Sequence, residues 1–337
     1  MAARRLRASL KGWGGVGAMA IACALTAVFA LLLPLAHARG DGSTGVGGQG
    51  VARGTQARAE KCGDHPEDLS PAPSGSESGK TITAIKDRGY LSVGVDQNSY
   101  RWGYRDPNNT DTDVELEGFD IDLAHRIADE ILGDPAKVRF RAIPTNQRIE
   151  AIQKGRVDMV VRTMTITCAR LDEVTFSDPY FVTGQQVLAP KNSTVTGYDK
   201  SLADKKICTA TGSTAYDKLD ADKKAGELAG SADISTTVPN QLDCLVRLQL
   251  GEVDAVVTDG ALAASQAAQD PTVELKGTTF TTEYYGVAMN KDAEDLVRRV
   301  NQVLVDYRKS GWQTSYDKWL SATLKSDSPS SKPPAAH

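Results

Sequence analysis

Arg170 and Asp259 stand out in this chain as the pair that could hold a dipolar small molecule. A guanidinium grips a carboxylate through a bidentate, charge-assisted fork that lysine cannot form, and an aspartate is a natural partner for an amine. Each lies beyond one copy of a repeated phrase. The first copy reads Gly155-Arg156-Val157-Asp158-Met159-Val160-Val161 and runs on through Arg162, Thr163, Met164, Thr165, Ile166, Thr167, Cys168 and Ala169 to Arg170. The second reads Gly251-Glu252-Val253-Asp254-Ala255-Val256-Val257 and runs into Thr258 and Asp259. Opposite charges on two matching units suggest a zwitterion clamped between two lobes. Thr163 and Thr165 alternate with Met164 and Ile166 and so share one face. Gly212-Ser213-Thr214 reads as a helix start, whose N–H groups would add partial positive charge for the same anion.

The elements that must position these residues are legible in the pattern. Each repeated phrase follows an amphipathic stretch, so Gly155 and Gly251 sit where a helix needs a left-handed stop. The short Val-rich runs after them suit strands buried on both faces. In open α/β sheets, ligands collect beyond the C-terminal ends of such strands. A short helix ending at Gly89 precedes a strand over residues 90–95, and a polar, aromatic loop follows over 96–113. Ile121, Leu123, Ala124, Ile127, Ala128 and Ile131 trace one face of a helix, with Asp120 and Asp122 expected to cap its start. A strand over 137–143 and a helix over 148–154 complete a β-α-β-α-β half-lobe. Extended segments over 174–189 and 283–289 would be the two crossings between lobes, and helices over 293–310 and 312–320 finish the chain.

The 337 residues leave room for two domains. A hydrophobic content of 40% with 24% charged residues is that of a soluble globular protein, and a net charge of −4 argues against nucleic-acid binding. Residues 1–38 form a targeting segment. Arg4, Arg5, Arg7 and Lys11 give a basic start, an apolar run follows from Val16 to Ala36, and Ala36-His37-Ala38 fits a small-x-small cleavage site. Retention of this run as an anchor and lipidation at Cys23 remain alternatives to simple cleavage. Either way the chain is exported and works outside the cytoplasm, at the outer face of the cell membrane. Residues 39–79 are rich in Gly, Ser, Ala, Pro and Arg and read as a flexible tether. Residues 326–337 read as a disordered tail.

Export makes the remaining four cysteines readable as disulfides. Cys208 and Cys244 belong to one lobe and are paired on that ground, which leaves Cys62 with Cys168; free, buried Cys208 and Cys244 are the alternative. No CxxC and no Cys/His cluster is present, and the four histidines are scattered, so neither a metal nor a cofactor is expected.

Together these residues resemble the amino-acid-binding solute receptors that serve ABC transporters, family 3, nearest the actinobacterial glutamine- and glutamate-type members. The matching pieces are Gly118-Phe119-Asp120-Ile121-Asp122, Gly155-Arg156-Val157-Asp158, Thr165-Ile166-Thr167 with Arg170, Phe176-Ser177-Asp178-Pro179-Tyr180, Gly286-Val287-Ala288, Gly311-Trp312 and Trp319-Leu320. Their order extends over about residues 80–324. The resemblance implies an α/β, periplasmic-binding-protein-like fold with two lobes on two hinge strands. The first lobe would take residues 80–188 and 283–325, and the second 189–282. It also implies that Arg170, Thr165 and the helix start at Gly212, Ser213 and Thr214 meet the ligand's α-carboxylate. Asp259 and the Thr163 carbonyl would meet its ammonium, while Ser99 and Trp102 would add a polar contact and an aromatic wall.

Two departures bear on specificity. Arg162 stands where the family often has a small apolar residue. An arginine at a buried strand end must meet an anion, so it is expected to bind a side-chain carboxylate of glutamate or aspartate; a structural ion pair with Asp158 or another nearby acid is the alternative. Ala210 stands where many glutamine-binding relatives carry a lysine. The expected activity is delivery of an acidic or amide amino acid to an ABC permease by a monomeric receptor. A sensor that informs a membrane partner in a kinase pathway uses the same site. Dehydratase chemistry on this fold, with Asp259, Glu173 or His125 as acid or base, is the enzymatic alternative, but no nucleophile–base set supports it.

Overall fold

The computed structural model describes residues 62–109, 115–324 and 328–335. The targeting segment and the first part of the expected tether lie outside them. Among the described residues, no helix is long and apolar enough to cross a membrane.

Two five-stranded sheets form two lobes of matching design. In the first, β4 (Val138–Ala142), β1 (Leu91–Val95) and β5 (Met159–Val160) run parallel, and β14 (Ala288–Met289) lies antiparallel between β5 and β6 (Thr175–Phe176). In the second, β10 (Asp233–Val238), β9 (Lys206–Ala210) and β11 (Ala255–Asp259) run parallel. There β8 (Gln185–Pro190) lies antiparallel between β11 and β12 (Val273–Lys276). Two crossings join the lobes, β7 (Phe181–Thr183) and β13 (Glu283–Tyr285), which pair antiparallel as a two-stranded hinge. A small ribbon, β2 (Asn98–Ser99) with β3 (Gly103–Tyr104), shapes the loop after β1.

The helix Phe119–Leu132 buries the face its spacing foretold: Ile121, Leu123, Ala124, Ile127, Ala128 and Ile131 are all in the core. Each isoleucine or leucine side chain among them contributes about 1.5–3 kcal/mol when fully buried. Its first turn differs from the expected one. Gly118 occupies the cap position, and neither aspartate caps. Asp120 accepts from the Thr163 backbone N–H (3.1 Å) and the Tyr180 hydroxyl (2.8 Å). Asp122 accepts from Ser315 Oγ and Trp319 Nε1. A carboxylate near a helix start is claimed by whichever donors pack against it, and here these come from distant segments.

Both disulfides form as expected: Cys62–Cys168, with Cα atoms 5.8 Å apart, and Cys208–Cys244, at 5.6 Å. Three boundaries differ from the sequence reading. Strand β8 already pairs with the second sheet at Gln185, so the first lobe does not extend to residue 188. Residues 62–79, read as tether, are tied to the first lobe by the disulfide at Cys62, by Asn301 Nδ2 on Ser70 Oγ and the Pro71 carbonyl, and by Arg298 on the Ala72 carbonyl. The tail also packs: Ser330 and Pro334 are buried, and residues 329–331 lie against hinge strand β7. Composition registers the lack of large apolar residues in these segments but not the backbone hydrogen bonds that distant side chains make to them.

Candidate functional site

The repeated units end at the cleft between the lobes. Gly155 and Gly251 take φ values of +62° and +70°, the left-handed stops that turn each chain from helix into strand. Strand β11 is buried along its whole length and ends at Asp259. This residue opens the helix Gly260–Gln269, but its side chain makes no capping bond. The carboxylate instead accepts from the Tyr285 hydroxyl at 2.5 Å. Burial, and then the neighbouring Glu283 carboxylate, raise Asp259 to about 7. Burial and Asp259 push Tyr285 well above the ordinary phenol range, so it remains a donor. Glu283 accepts from Gln185 Nε2 (3.0 Å) and Thr281 Oγ1 (2.8 Å) on one oxygen and from Thr214 Oγ1 (3.0 Å) on the other. Two carboxylates therefore stand together where the hinge meets the second lobe.

The first lobe presents cations. After β5 the chain breaks at Thr163, whose φ of +40° is rare for a β-branched residue. The Asp120–Tyr180 pair holds that kink by taking up its N–H. Thr165 then bridges to Tyr285 of the hinge. Thr167 caps the short helix Cys168–Leu171, which presents Arg170. That guanidinium donates to the Thr165 carbonyl (2.7 Å) and, across the cleft, to the Gly212 carbonyl (3.1 Å). Ser213 caps the helix Thr214–Ala225 by accepting from the Tyr216 N–H, so the helix start lies beside the arginine. Gly212 has a φ of +74°, and a Cβ there would come within 3.1 Å of Asn146 Cα in the other lobe; a side chain would hold the lobes apart.

Arg148 is the residue sequence reasoning missed. It donates to the carbonyls of Thr145 (2.8 Å), Arg162 (3.3 Å) and Gly212 (3.5 Å). Like Arg170, it makes no ion pair with any described carboxylate. Burial, and then the charges of Arg170 and Arg162, pull Arg148 well below the usual guanidinium value. Because a guanidinium stays charged in proteins, this arrangement calls for an anion. A signal was available: Arg148, Ala151 and Ile152 form a buried i, i+3, i+4 stripe, in which an arginine is out of character.

Arg162 takes a different role from the expected one. It is fully buried, and its Nη2 lies 2.9 Å from Asp96 Oδ2, so its charge is balanced inside the protein. Asp158, the other named partner, pairs with Arg88. Ser99 is likewise engaged by Asp96, at 2.8 Å. Trp102 is wholly buried and packs edge-on against Phe181 (4.8 Å), Phe119 (5.6 Å) and Tyr285 (5.8 Å). It supports the hinge ring that holds Asp259 and presents no surface as an aromatic wall. Of the ten residues singled out, the structure brings together Thr163, Thr165, Arg170, Gly212, Ser213, Thr214 and Asp259. It places Ser99, Trp102 and Arg162 behind them. His125 lies on the outside, against the Pro135 carbonyl and the Phe140 ring.

A hinged pair of α/β lobes, with guanidiniums on one wall and carboxylates on the other, defines a clamp-type receptor for a small zwitterion. The chain belongs to the bacterial extracellular solute-binding proteins, family 3, whose model matches residues 91–322. It is 34% identical over 241 residues to the ABC transporter glutamine-binding protein GlnH of Bacillus subtilis, covering 71% of this chain and 84% of that one. With the glutamate-binding protein GluB of Corynebacterium efficiens it shares 30% identity over 264 residues, covering 75% and 85% respectively. Among solved structures, an ancestral amino-acid-binding protein described as a precursor of cyclohexadienyl dehydratase superposes with a TM-score of 0.61 at 32% identity, covering 72% of this chain and 100% of its own. The named relatives GlnH and GluB are binding proteins rather than enzymes.

Proposed function

We propose that this protein captures an acidic L-amino acid, glutamate or aspartate, outside the cytoplasm and delivers it to an ABC permease. The observation that carries the reading is the pair of buried guanidiniums, Arg148 and Arg170, neither with a carboxylate partner among the described residues and both reaching the Gly212 carbonyl. Two such charges match a ligand with two carboxylates. Arg170, the Thr165 hydroxyl and the helix start at Ser213 and Thr214 take the α-carboxylate, and Arg148 takes the side-chain carboxylate. Asp259 takes the ammonium, supported by Glu283 and the Thr163 carbonyl. An amide ligand would give Arg148 a dipole in place of a charge, so glutamine and asparagine bind more weakly. Closure follows because the ligand contacts both lobes only in the closed form, which shifts the open–closed equilibrium. The receptor acts as a monomer at the outer face of the membrane.

Calorimetry with L-glutamate, L-aspartate, L-glutamine and L-asparagine tests this reading. The acids are expected to bind more tightly than their amides. Equal or tighter binding of the amides would remove the assignment of Arg148, and failure of all four to bind would remove the amino-acid reading.

A further inference from the structure

The turn Pro239-Asn240-Gln241 of the second lobe is held by three hydrogen bonds from the first lobe that belong to none of the groups assigned to the ligand. The Thr145 N–H donates to the Pro239 carbonyl at 3.0 Å. Arg162 Nη2 donates to Asn240 Oδ1 at 3.0 Å, and Thr145 Oγ1 donates to Gln241 Oε1 at 3.3 Å. Both sides are braced. Arg162 is fixed by Asp96 and donates its Nη1 to Thr145 Oγ1 at 3.0 Å. Asp96 is itself oriented by the N–H groups of Gln97 and Asn98 and by the Ser99 hydroxyl. On the other side, the helix Gln241–Gln249 is stapled to β9 through Cys208–Cys244, and Gln266 Nε2 holds the Gln241 carbonyl.

Asn240 carries the key oddity. It occupies the cap position of its helix yet makes no side-chain capping bond, although asparagine is among the best residues for that task. Its side-chain oxygen is turned to the other lobe instead. The side chain forgoes a local capping bond and makes a contact between the lobes instead.

We infer that Asp96, Arg162, Thr145 and the turn at residues 239–241 form a ligand-independent latch that sets how readily the clamp closes. Arg162 and Asn240 are positioning residues: they act on every ligand through the closed-state population, not through contact with it. Because apparent affinity scales with the fraction of molecules able to adopt the binding conformation, weakening the latch lowers affinity for all ligands by one common factor. The inference rests on the clamp reading but not on which amino acid is bound.

The test uses the exported chain without its leader and the variants Asn240→Ala and Asn240→Asp. The release rates and dissociation constants of L-glutamate and L-aspartate are measured, together with the interlobe distance distribution of the unliganded chain from fluorophores on the two lobes. Asn240→Ala is expected to weaken both ligands by a similar factor, about tenfold for loss of a hydrogen bond from a charged donor. Release should be faster, and the unliganded distribution should move toward open. Asn240→Asp keeps an acceptor for Arg162 and should stay near the parent. Loss confined to one ligand would make Asn240 a ligand contact and overturn the latch. An unchanged release rate with an unchanged distance distribution would do the same. If neither amino acid binds the parent chain, the ligand assignment fails, while the distance distribution still decides the latch.

Discussion

The two helix–turn–strand units, residues 148–162 and 241–259, share a glycine stop and a buried apolar strand, yet they deliver charge to the cleft in different ways. In the second unit the strand runs straight into Asp259, and a buried carboxylate is the strand's last residue. In the first, the charge after the strand, Arg162, stands at the place of Thr258, one residue before that of Asp259, and is consumed by Asp96. The cations that remain come from the start of its helix, Arg148, and from a further short helix, Arg170. A charge at a strand end is available to a ligand only if the packing behind it supplies no counter-ion. Asp259 has Glu283 nearby, which opposes its ionisation, whereas Arg162 has an acid in contact.

Removing Arg162 should produce the largest effect, and on stability. Arg162→Ala leaves Asp96 buried and unpaired, so the unliganded chain should lose about 3–5 kcal/mol in chemical denaturation, with the preference for acid over amide retained. A change in that preference would return Arg162 to the ligand site. Next come the residues proposed to face the ligand. Arg170→Ala and Asp259→Ala should each weaken L-glutamate binding by about 2–5 kcal/mol in calorimetry, with little loss of unliganded stability. A large drop in melting temperature for either would mean that the two units differ less than proposed. Arg148→Gln should weaken L-glutamate by about 1.5–3 kcal/mol and leave L-glutamine much less affected, so the preference between them narrows or reverses.

The smallest effect is on pH. Asp259 must be ionised to hold an ammonium, and without ligand it is held at about 7, chiefly by burial and then by Glu283. Affinity should therefore fall as pH drops below about 7, approaching a factor of ten per pH unit, with proton release on binding visible in buffers of different ionisation enthalpy. Unliganded stability carries the opposite sign. Asp259, and Asp120, which burial raises to about 7 as well, bind protons more tightly folded than unfolded. Their contribution is fully present below the unfolded carboxylate pKa and is lost as pH rises through about 7. On acidification from pH 8 to pH 5, these groups should raise the unliganded melting temperature while the ligand-induced shift shrinks.

Local rules carried much of this protein into view. The glycine stops at Gly155 and Gly251, the apolar face of the helix Phe119–Leu132 and the buried β11 all follow from periods of a few residues, and the structure repeats them. Arg170 and Asp259 were legible as a pair because each lies beyond a copy of one phrase. Cys208–Cys244 was legible because both cysteines fall within one lobe.

Other features depend on segments that only folding brings together. Asp96 meets Arg162, and Asn301 and Arg298 tie down residues 70–72, across separations that no local pattern reports. A guanidinium seen only in sequence has charge but no counter-ion. Whether it serves the fold, as Arg162 does, or is left without an ion pair among the described residues, as Arg148 and Arg170 are, depends on which carboxylate the tertiary packing sets beside it. The chain's own order of residues determined the lobes, their stops and the sign of the charge each unit bears; three-dimensional contact alone decided which of those charges were already spent.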